Sequence, residues 1–202
     1  MLTTLLLTTV SAWAVDHEVS GELGTLRNTD RAYDVYTSLN AMPSRGLGGT
    51  LALHERVGVT GGWHRSSRGS ELYFGDDSPA VVAAFYTDTF DLGVKADVAL
   101  GDMLRPYVQA SGLLVRGVSR VDDDPSDPVS VGQIKEAGLT GGALGLAGLA
   151  FRISGDRINL PLGFSVHAGL GYGYVGRVDL GDLGTIKPGG GFASRAGLSL
   201  IF

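Results

Sequence analysis

Two short stretches of the 202-residue chain hold residue types at spacings that can do chemistry. His64-Arg65-Ser66 sets an imidazole two residues from a hydroxyl, the pairing of base and nucleophile that ester hydrolysis uses once a carboxylate orients the base. The nearest downstream acids are Glu71, Asp76 and Asp77, in a stretch that reads as a loop. Asp122-Asp123-Asp124-Pro125-Ser126-Asp127-Pro128 offers oxygen ligands to a hard cation, but it lacks the glycine and closing glutamate of a calcium loop. A hydrated acidic surface loop is the plainer reading. A third set is scattered: Glu22, His54, Thr60, His64, Asp91, Lys95, Asp97, His167, Arg177 and Arg195, with Arg116 and Arg152 less certain members. What these can do depends on the elements that carry them.

Those elements alternate. From Tyr86 to Leu100 the even positions are Tyr86, Asp88, Phe90, Leu92, Val94, Ala96, Val98 and Leu100, and the odd ones run Thr87, Thr89, Asp91, Gly93, Lys95, Asp97, Ala99. One face is apolar and the other polar, as in a half-buried strand. Residues 160–178 repeat the pattern with Leu160, Leu162, Phe164, Val166, Leu170, Tyr172, Tyr174 and Val178 on one face. Residues 192–202 do so with Phe192, Leu198, Leu200 and Phe202. Weaker versions at 18–28, 46–54, 57–66, 105–119 and 137–152 bring the number of expected strands to eight. Tight turns at 54–56, 101–104 and from 154 alternate with long links at 29–45, 67–84, 120–136 and 179–189. Short turns at one end and long loops at the other, over an even number of antiparallel strands, predict an all-β, eight-stranded, up-and-down transmembrane β-barrel.

Composition narrows the function. The chain has no Cys, which removes disulfide scaffolds and thiolate metal sites, and its net charge of −5 argues against nucleic-acid binding. Glycine, 32 of 202 residues, is about twice the ordinary share of ~7%, with no collagen period. No run of 18 apolar residues exists to cross a membrane as a helix. Residues 1–14 carry no charge, centre on Leu5-Leu6-Leu7 and end Ala12-Trp13-Ala14, so they read as a leader cleaved after Ala14, leaving 15–202 as the barrel domain. No cofactor is expected.

A soluble barrel also alternates, with its apolar stripe inward, so the aromatic residues decide the sidedness. Trp63, Tyr86, Phe90, Tyr172, Tyr174 and Phe192 fall near the long-loop end of the apolar face, and Tyr107, Phe151, Phe164 and Phe202 near the other. Two belts separated by Leu, Val and Ala suit a bilayer with two interfaces. The polar stripe is then enclosed. Because an eight-strand lumen holds little beyond its own side chains, its charges should pair, with Arg195 and Glu22 facing each other where the barrel closes. Gly169, Gly171 and Gly173 either open a narrow conduit or permit tight strand coiling, and the plugged lumen is favoured. His64 shares its face with Thr60 and not with Trp63, so it points away from lipid.

At this point the chain, over about residues 18–202, resembles the small eight-stranded outer-membrane barrels of Gram-negative bacteria, the OmpA, OmpX and OmpW type. The likeness rests on strand count, loop alternation and the ending Gly197-Leu198-Ser199-Leu200-Ile201-Phe202. It implies an outer-membrane location, contact with outer-membrane lipid and lipopolysaccharide, and a terminal aromatic, Phe202, read by the barrel-assembly machinery. A monomer is expected. The family includes structural anchors, adhesins, small-solute pores and a few lipid-A enzymes, among them deacylases with a His-x-Ser spacing, although His64 and Ser66 lie in an early strand, unlike that group. The leading expectation is a non-enzymatic envelope protein that stabilises the membrane or presents loops bearing Tyr33, Tyr36, Leu39, Met42, Tyr73 and Phe74. The alternatives are a narrow porin, a lipid-A enzyme and a soluble periplasmic ligand-binding barrel.

Overall fold

The computed structural model describes residues 16–28, 30–31, 41–72, 81–122 and 133–202. Residues 1–14, expected as a leader, lie outside the described residues, as do Tyr33, Tyr36, Leu39, Tyr73, Phe74, Asp76, Asp77 and the acidic run beyond Asp122. The barrel staves are β1 (Glu18–Arg27), β2 (Ala41–His54), β3 (Val57–Leu72), β4 (Val81–Asp97), β5 (Leu104–Asp122), β6 (Gln133–Ile153) and β7 (Gly163–Val175), closed by β10 (Gly190–Ile201). Between the last two lies a small hairpin, β8 (Val178–Asp179) with β9 (Thr185–Ile186). Each stave pairs antiparallel with its sequence neighbour, and β10 pairs β1 to close the ring, from Glu18↔Ile201 to Leu26↔Ala193. His17 and Phe202 extend that seam by exchanging backbone hydrogen bonds of 2.9 and 3.1 Å. Closure leaves no bare edge, which is what a sheet needs in hydrocarbon.

The side chains sort by parity. Leu92, Val94, Phe164 and Leu200 are 69%, 51%, 43% and 43% exposed, whereas Lys95 is 9% exposed. The apolar stripe is therefore outside and the charged stripe inside, the reverse of a soluble barrel. In water such a surface would forfeit about 25 cal/mol for every Å² of apolar area left unburied. In hydrocarbon that penalty vanishes. Trp63, Phe90, Tyr172, Tyr174 and Phe192 all stand exposed on the outer face towards the long-loop end, and Phe151, Phe164 and Phe202 towards the other.

The staves run further at the loop end than alternation predicts. β2 starts at Ala41 and not at 46, β3 continues to Leu72, so that Glu71 lies in a strand, and β5 and β6 meet at Asp122↔Gln133. Beyond the bilayer both faces meet polar surroundings, so side-chain periodicity fades while backbone pairing goes on. The predicted strand over 160–178 is trimmed at both ends. Asn159 adopts a left-handed conformation, φ 53°, after a single helical turn (Gly155–Ile158). Leu160, Pro161 and Leu162 are exposed in that turn, and Gly163 begins β7.

Candidate functional site

The lumen has two storeys built on different physics. In the storey nearer the short turns, Glu18 accepts from Lys95 Nζ at 3.0 Å and from Arg152, whose other nitrogen reaches Asp16 at 2.9 Å. Lys95 Nζ also sits 5.1 Å over the Tyr107 ring, and Arg105 meets Asp97 at 3.2 Å. One layer up, His64 Nε2 lies 3.4 Å from Glu22 Oε2 and 3.3 Å from Asp91 Oδ2. Arg195 holds Asp91 at 2.9 Å and Glu22 at 3.4 Å, bridging β10 to β4 and β1. His167 stands 3.8 Å from Glu22 and 3.3 Å from the Ser199 hydroxyl. Apart from Asp16 and the Arg105–Asp97 pair at the short-turn rim, these groups are nearly free of solvent, a state that charges tolerate only when paired and hydrogen-bonded.

Glycine makes the network fit. A methyl group on Gly169 would lie 2.5 Å from the Tyr107 hydroxyl, and one on Gly197 would lie 2.7 Å from the His167 ring. Gly173 faces Leu26 and Leu144 in the same way. Of the glycines that suggested a conduit, Gly169 and Gly173 are therefore spaces already filled by larger neighbours, and Gly171 lies against the backbone of Gly145.

The upper storey is apolar, contrary to a uniformly polar lumen. Leu113, Val115, Leu144, Leu146, Val175 and Ala193 pack together with Leu26. Above them the β8–β9 hairpin turns inward, and Val178, Leu180 and Ile186 pack on Met42, Ala83 and Phe85. Between the storeys lies a cavity of about 70 Å³, bounded on one side by Ser44, Ser66, Thr87 and Thr89 and floored by His64 and Arg195. A second cavity of about 90 Å³ lies at the short-turn end beside Glu18, Lys95 and Arg152. The two share no lining residue, because the Glu22–His64–Asp91–Arg195 layer separates them.

No protein-family model matches the sequence, and no characterised protein matches it by sequence. Solved structures do match by shape. Ail, the attachment invasion locus protein of Yersinia pestis, crystallised in complex with the heparin analogue sucrose octasulfate, superposes with a TM-score of 0.53 at 16% identity, over 94% of this chain and 100% of Ail. Neisserial surface protein A gives 0.51 at 14% identity, over 92% of this chain and 94% of its own. The fold is that of the small eight-stranded outer-membrane β-barrels. With an outer surface that only hydrocarbon can cover, the barrel resides in an outer membrane.

In this outer-membrane barrel the His64-Arg65-Ser66 motif splits between two surfaces. His64 and Ser66 point inward and Arg65 outward to lipid. Ser66 donates its hydroxyl proton to the Pro43 carbonyl at 2.7 Å. The carboxylates beside His64 are Glu22 and Asp91, brought there by β1 and β4, while Asp76 and Asp77 lie outside the described residues. An oriented imidazole is present, but Ser66 is engaged elsewhere and both are shut off from lipid.

Several expectations are corrected. Arg177 is exposed beyond the end of β7 and takes no part in the lumen, because Gly176 bonds back to Gly141 and the chain leaves the wall there. Val178, expected on the lipid face, is fully buried in the roof. Tyr107, expected in the aromatic belt, points inward, since β5 carries its apolar stripe on even positions such as Val108 and Leu114. His54 is exposed at the short-turn rim. Arg152 is inward and Arg116 outward. Asp88 keeps its even parity on the outer face, where Arg65 grips it with two bonds of 2.8 Å and the Trp63 indole donates at 3.2 Å.

Proposed function

We propose that the protein is a non-enzymatic, structural barrel of the outer-membrane envelope, with both termini periplasmic and the long loops facing out. The observation that carries this reading is the double closure of the lumen: the ion-paired layer of Glu22, His64, Asp91 and Arg195 below, and the inward hairpin of Val178, Leu180 and Ile186 above. A charged plug alone can coexist with a leak of water and ions around it. An apolar roof sealed on Met42 and Phe85 removes that path as well. Among the described residues, the hydroxyl, imidazole and carboxylate that come together, Ser199, His167 and Glu22, are buried in the lumen away from lipid, so the enzyme reading draws no support from the geometry. In this reading Phe202, outward-facing, hydrogen-bonded to His17 at the seam and edge-on to its ring at 6.0 Å, is the residue that the barrel-assembly machinery recognises.

The test is a pair of assays on the refolded chain. Proteoliposomes should show no swelling with small sugars or amino acids, and lipid A from cells expressing the protein should keep its mass. Swelling at the rate of a known pore, or a loss of acyl mass that disappears in His64→Ala, would overturn the reading.

A further inference from the structure

The cavity of about 70 Å³ between the storeys has two walls of opposite chemistry. On one side stand the hydroxyls of Ser44, Ser66, Thr87 and Thr89, carried by β2, β3 and β4. Opposite them Leu113, Val115, Leu144, Leu146 and Val175 present only hydrocarbon. Ser66 and Thr87 are each 5% exposed, so the polar wall belongs to the interior. Ser66 donates to the Pro43 carbonyl at 2.7 Å and keeps its lone pairs free to accept. Among the described residues the Ser44, Thr87 and Thr89 hydroxyls have no hydrogen-bond partner. A buried hydroxyl without a partner forfeits the bonds it made to water, so this wall suits a group that both donates and accepts.

Neither water nor a plain hydrocarbon matches both walls. Water satisfies the hydroxyls but meets aliphatic side chains to which it forms no bond, and a hydrocarbon leaves the hydroxyls bare. Charge is unfavourable as well. His64 and Arg195 in the floor are already engaged by Glu22 and Asp91, so a charged ligand would be buried without a counter-ion. Volume sets the last limit, since an apolar cavity of about 150 Å³ takes one benzene and half of that takes roughly three or four non-hydrogen atoms. Exchange with the outside passes the roof, because the floor is the paired layer, whereas Met42 at the upper edge packs under the hairpin and Pro188 lies in its link to β10. Gly176 precedes the hairpin and Gly189-Gly190-Gly191 follows it, with φ of 154° at Gly190 and 108° at Gly191. The hairpin meets Met42, Ala83 and Phe85 through apolar contacts, which can part and re-form without stranding a charge.

We infer that this chamber is a binding site for a small uncharged molecule with a hydroxyl on a short aliphatic body, an alcohol or diol of about three carbons. The hydroxyl of the ligand faces Thr87 and Thr89, and its carbon atoms face Leu113, Leu144 and Val175. The site is blind, since the Glu22–His64–Asp91–Arg195 layer closes it below, so it holds its ligand and does not conduct it.

The full barrel, refolded in detergent micelles with isotope-labelled Leu and Val methyl groups, is titrated by NMR with 2-propanol and separately with acetate, a charged probe of the same size. 2-Propanol should shift the Leu113, Leu144 and Val175 methyl signals saturably, with half-saturation in the millimolar range, and acetate should leave them unmoved. Thr87→Val/Thr89→Val keeps the shape of the polar wall and removes two hydroxyls, and it should weaken 2-propanol binding by about fivefold or more. Ala193→Leu, which fills the chamber, should abolish the shifts. Should Ala193→Leu fail to fold, the valine pair decides alone. Shifts that grow without saturating, equal affinity in the valine pair, or acetate shifts that match those of 2-propanol overturn the inference. A barrel that swells proteoliposomes yet binds 2-propanol saturably contradicts the sealed lumen and not this site, so the two failures are separable.

Discussion

The two storeys of the lumen exclude water by opposite means. Below, Glu18 with Lys95 and Arg152, and Glu22 with Asp91, His64 and Arg195, fill the space with charges that are tolerable only in company. Above, Leu113, Val115, Leu144, Leu146 and Val175 fill it with packing that needs no partners of opposite sign. The lower storey is specific and brittle, since every member depends on a named neighbour. The upper storey is forgiving, since hydrophobic side chains of similar volume can replace one another. The roof hairpin belongs to the link between β7 and β10, so it can be removed without cutting a stave.

The largest effect should come from Glu18→Gln, which leaves buried Lys95 without its carboxylate, beside Arg152 held by Asp16 alone. A loss of about 3–5 kcal/mol is expected from urea unfolding in lipid vesicles. A loss below 1 kcal/mol would mean that water reaches this layer and that the contrast between storeys is false. Next comes Leu113→Ala in the upper storey, expected to cost about 2–3 kcal/mol by the same measurement, with Leu113→Met costing under about 1 kcal/mol. Similar costs for the two replacements would argue against loose apolar packing there. Gly169→Ala should cost about 1–2 kcal/mol by pressing on the Tyr107 hydroxyl. The same change made in a Tyr107→Phe background should cost less, and an unchanged cost would place the strain elsewhere. The smallest effect belongs to the exposed rim, where Arg120 Nε meets Asp122 Oδ2 at 2.6 Å. Arg120, with Gln133, holds the Asp122 carboxyl below its ordinary value. A lowered folded value means that this contribution is present above the usual carboxylate range and is lost as pH falls through the lowered value. Because the pair is exposed, Arg120→Ala should leave the unfolding midpoint at pH 7 within experimental scatter, and a clear shift would show that the rim shares in holding the barrel.

The lower storey was far more legible in the sequence than the upper. Two-residue alternation in β4, β7 and β10 gives away the inward positions of Asp91, Lys95, His167 and Arg195, because most of the large apolar residues in each strand fall on the other parity. In β5 and β6 the signal fails. Val115 and Leu114 are both apolar, and the run from Gly138 to Ala150 has too few large side chains to mark a face. Tyr107 misled for a related reason: an aromatic near a strand end looks like a girdle residue unless its neighbours fix the parity. The roof was hidden in a link that reads as polar, although Val178-Asp179-Leu180 followed by Ile186 carries the alternation of a short hairpin. The chamber between the storeys was invisible because its walls are brought together by cross-strand register, which is set by turn length and closure and which no single strand records.

The sequence has two tryptophans, Trp13 and Trp63, and a chain of residues 15–202 keeps Trp63 alone, which gives the most direct test of which face meets lipid. Chain 15–202 is refolded into vesicles whose phospholipids carry bromine at shallow or at deep acyl positions, and Trp63 emission is read in each. Strong quenching by shallow bromines and weaker quenching by deep ones is expected for a ring on the outer face at the interface. Emission indifferent to every brominated lipid would put Trp63 inside the barrel and contradict the sidedness on which the sealed lumen and its chamber both depend.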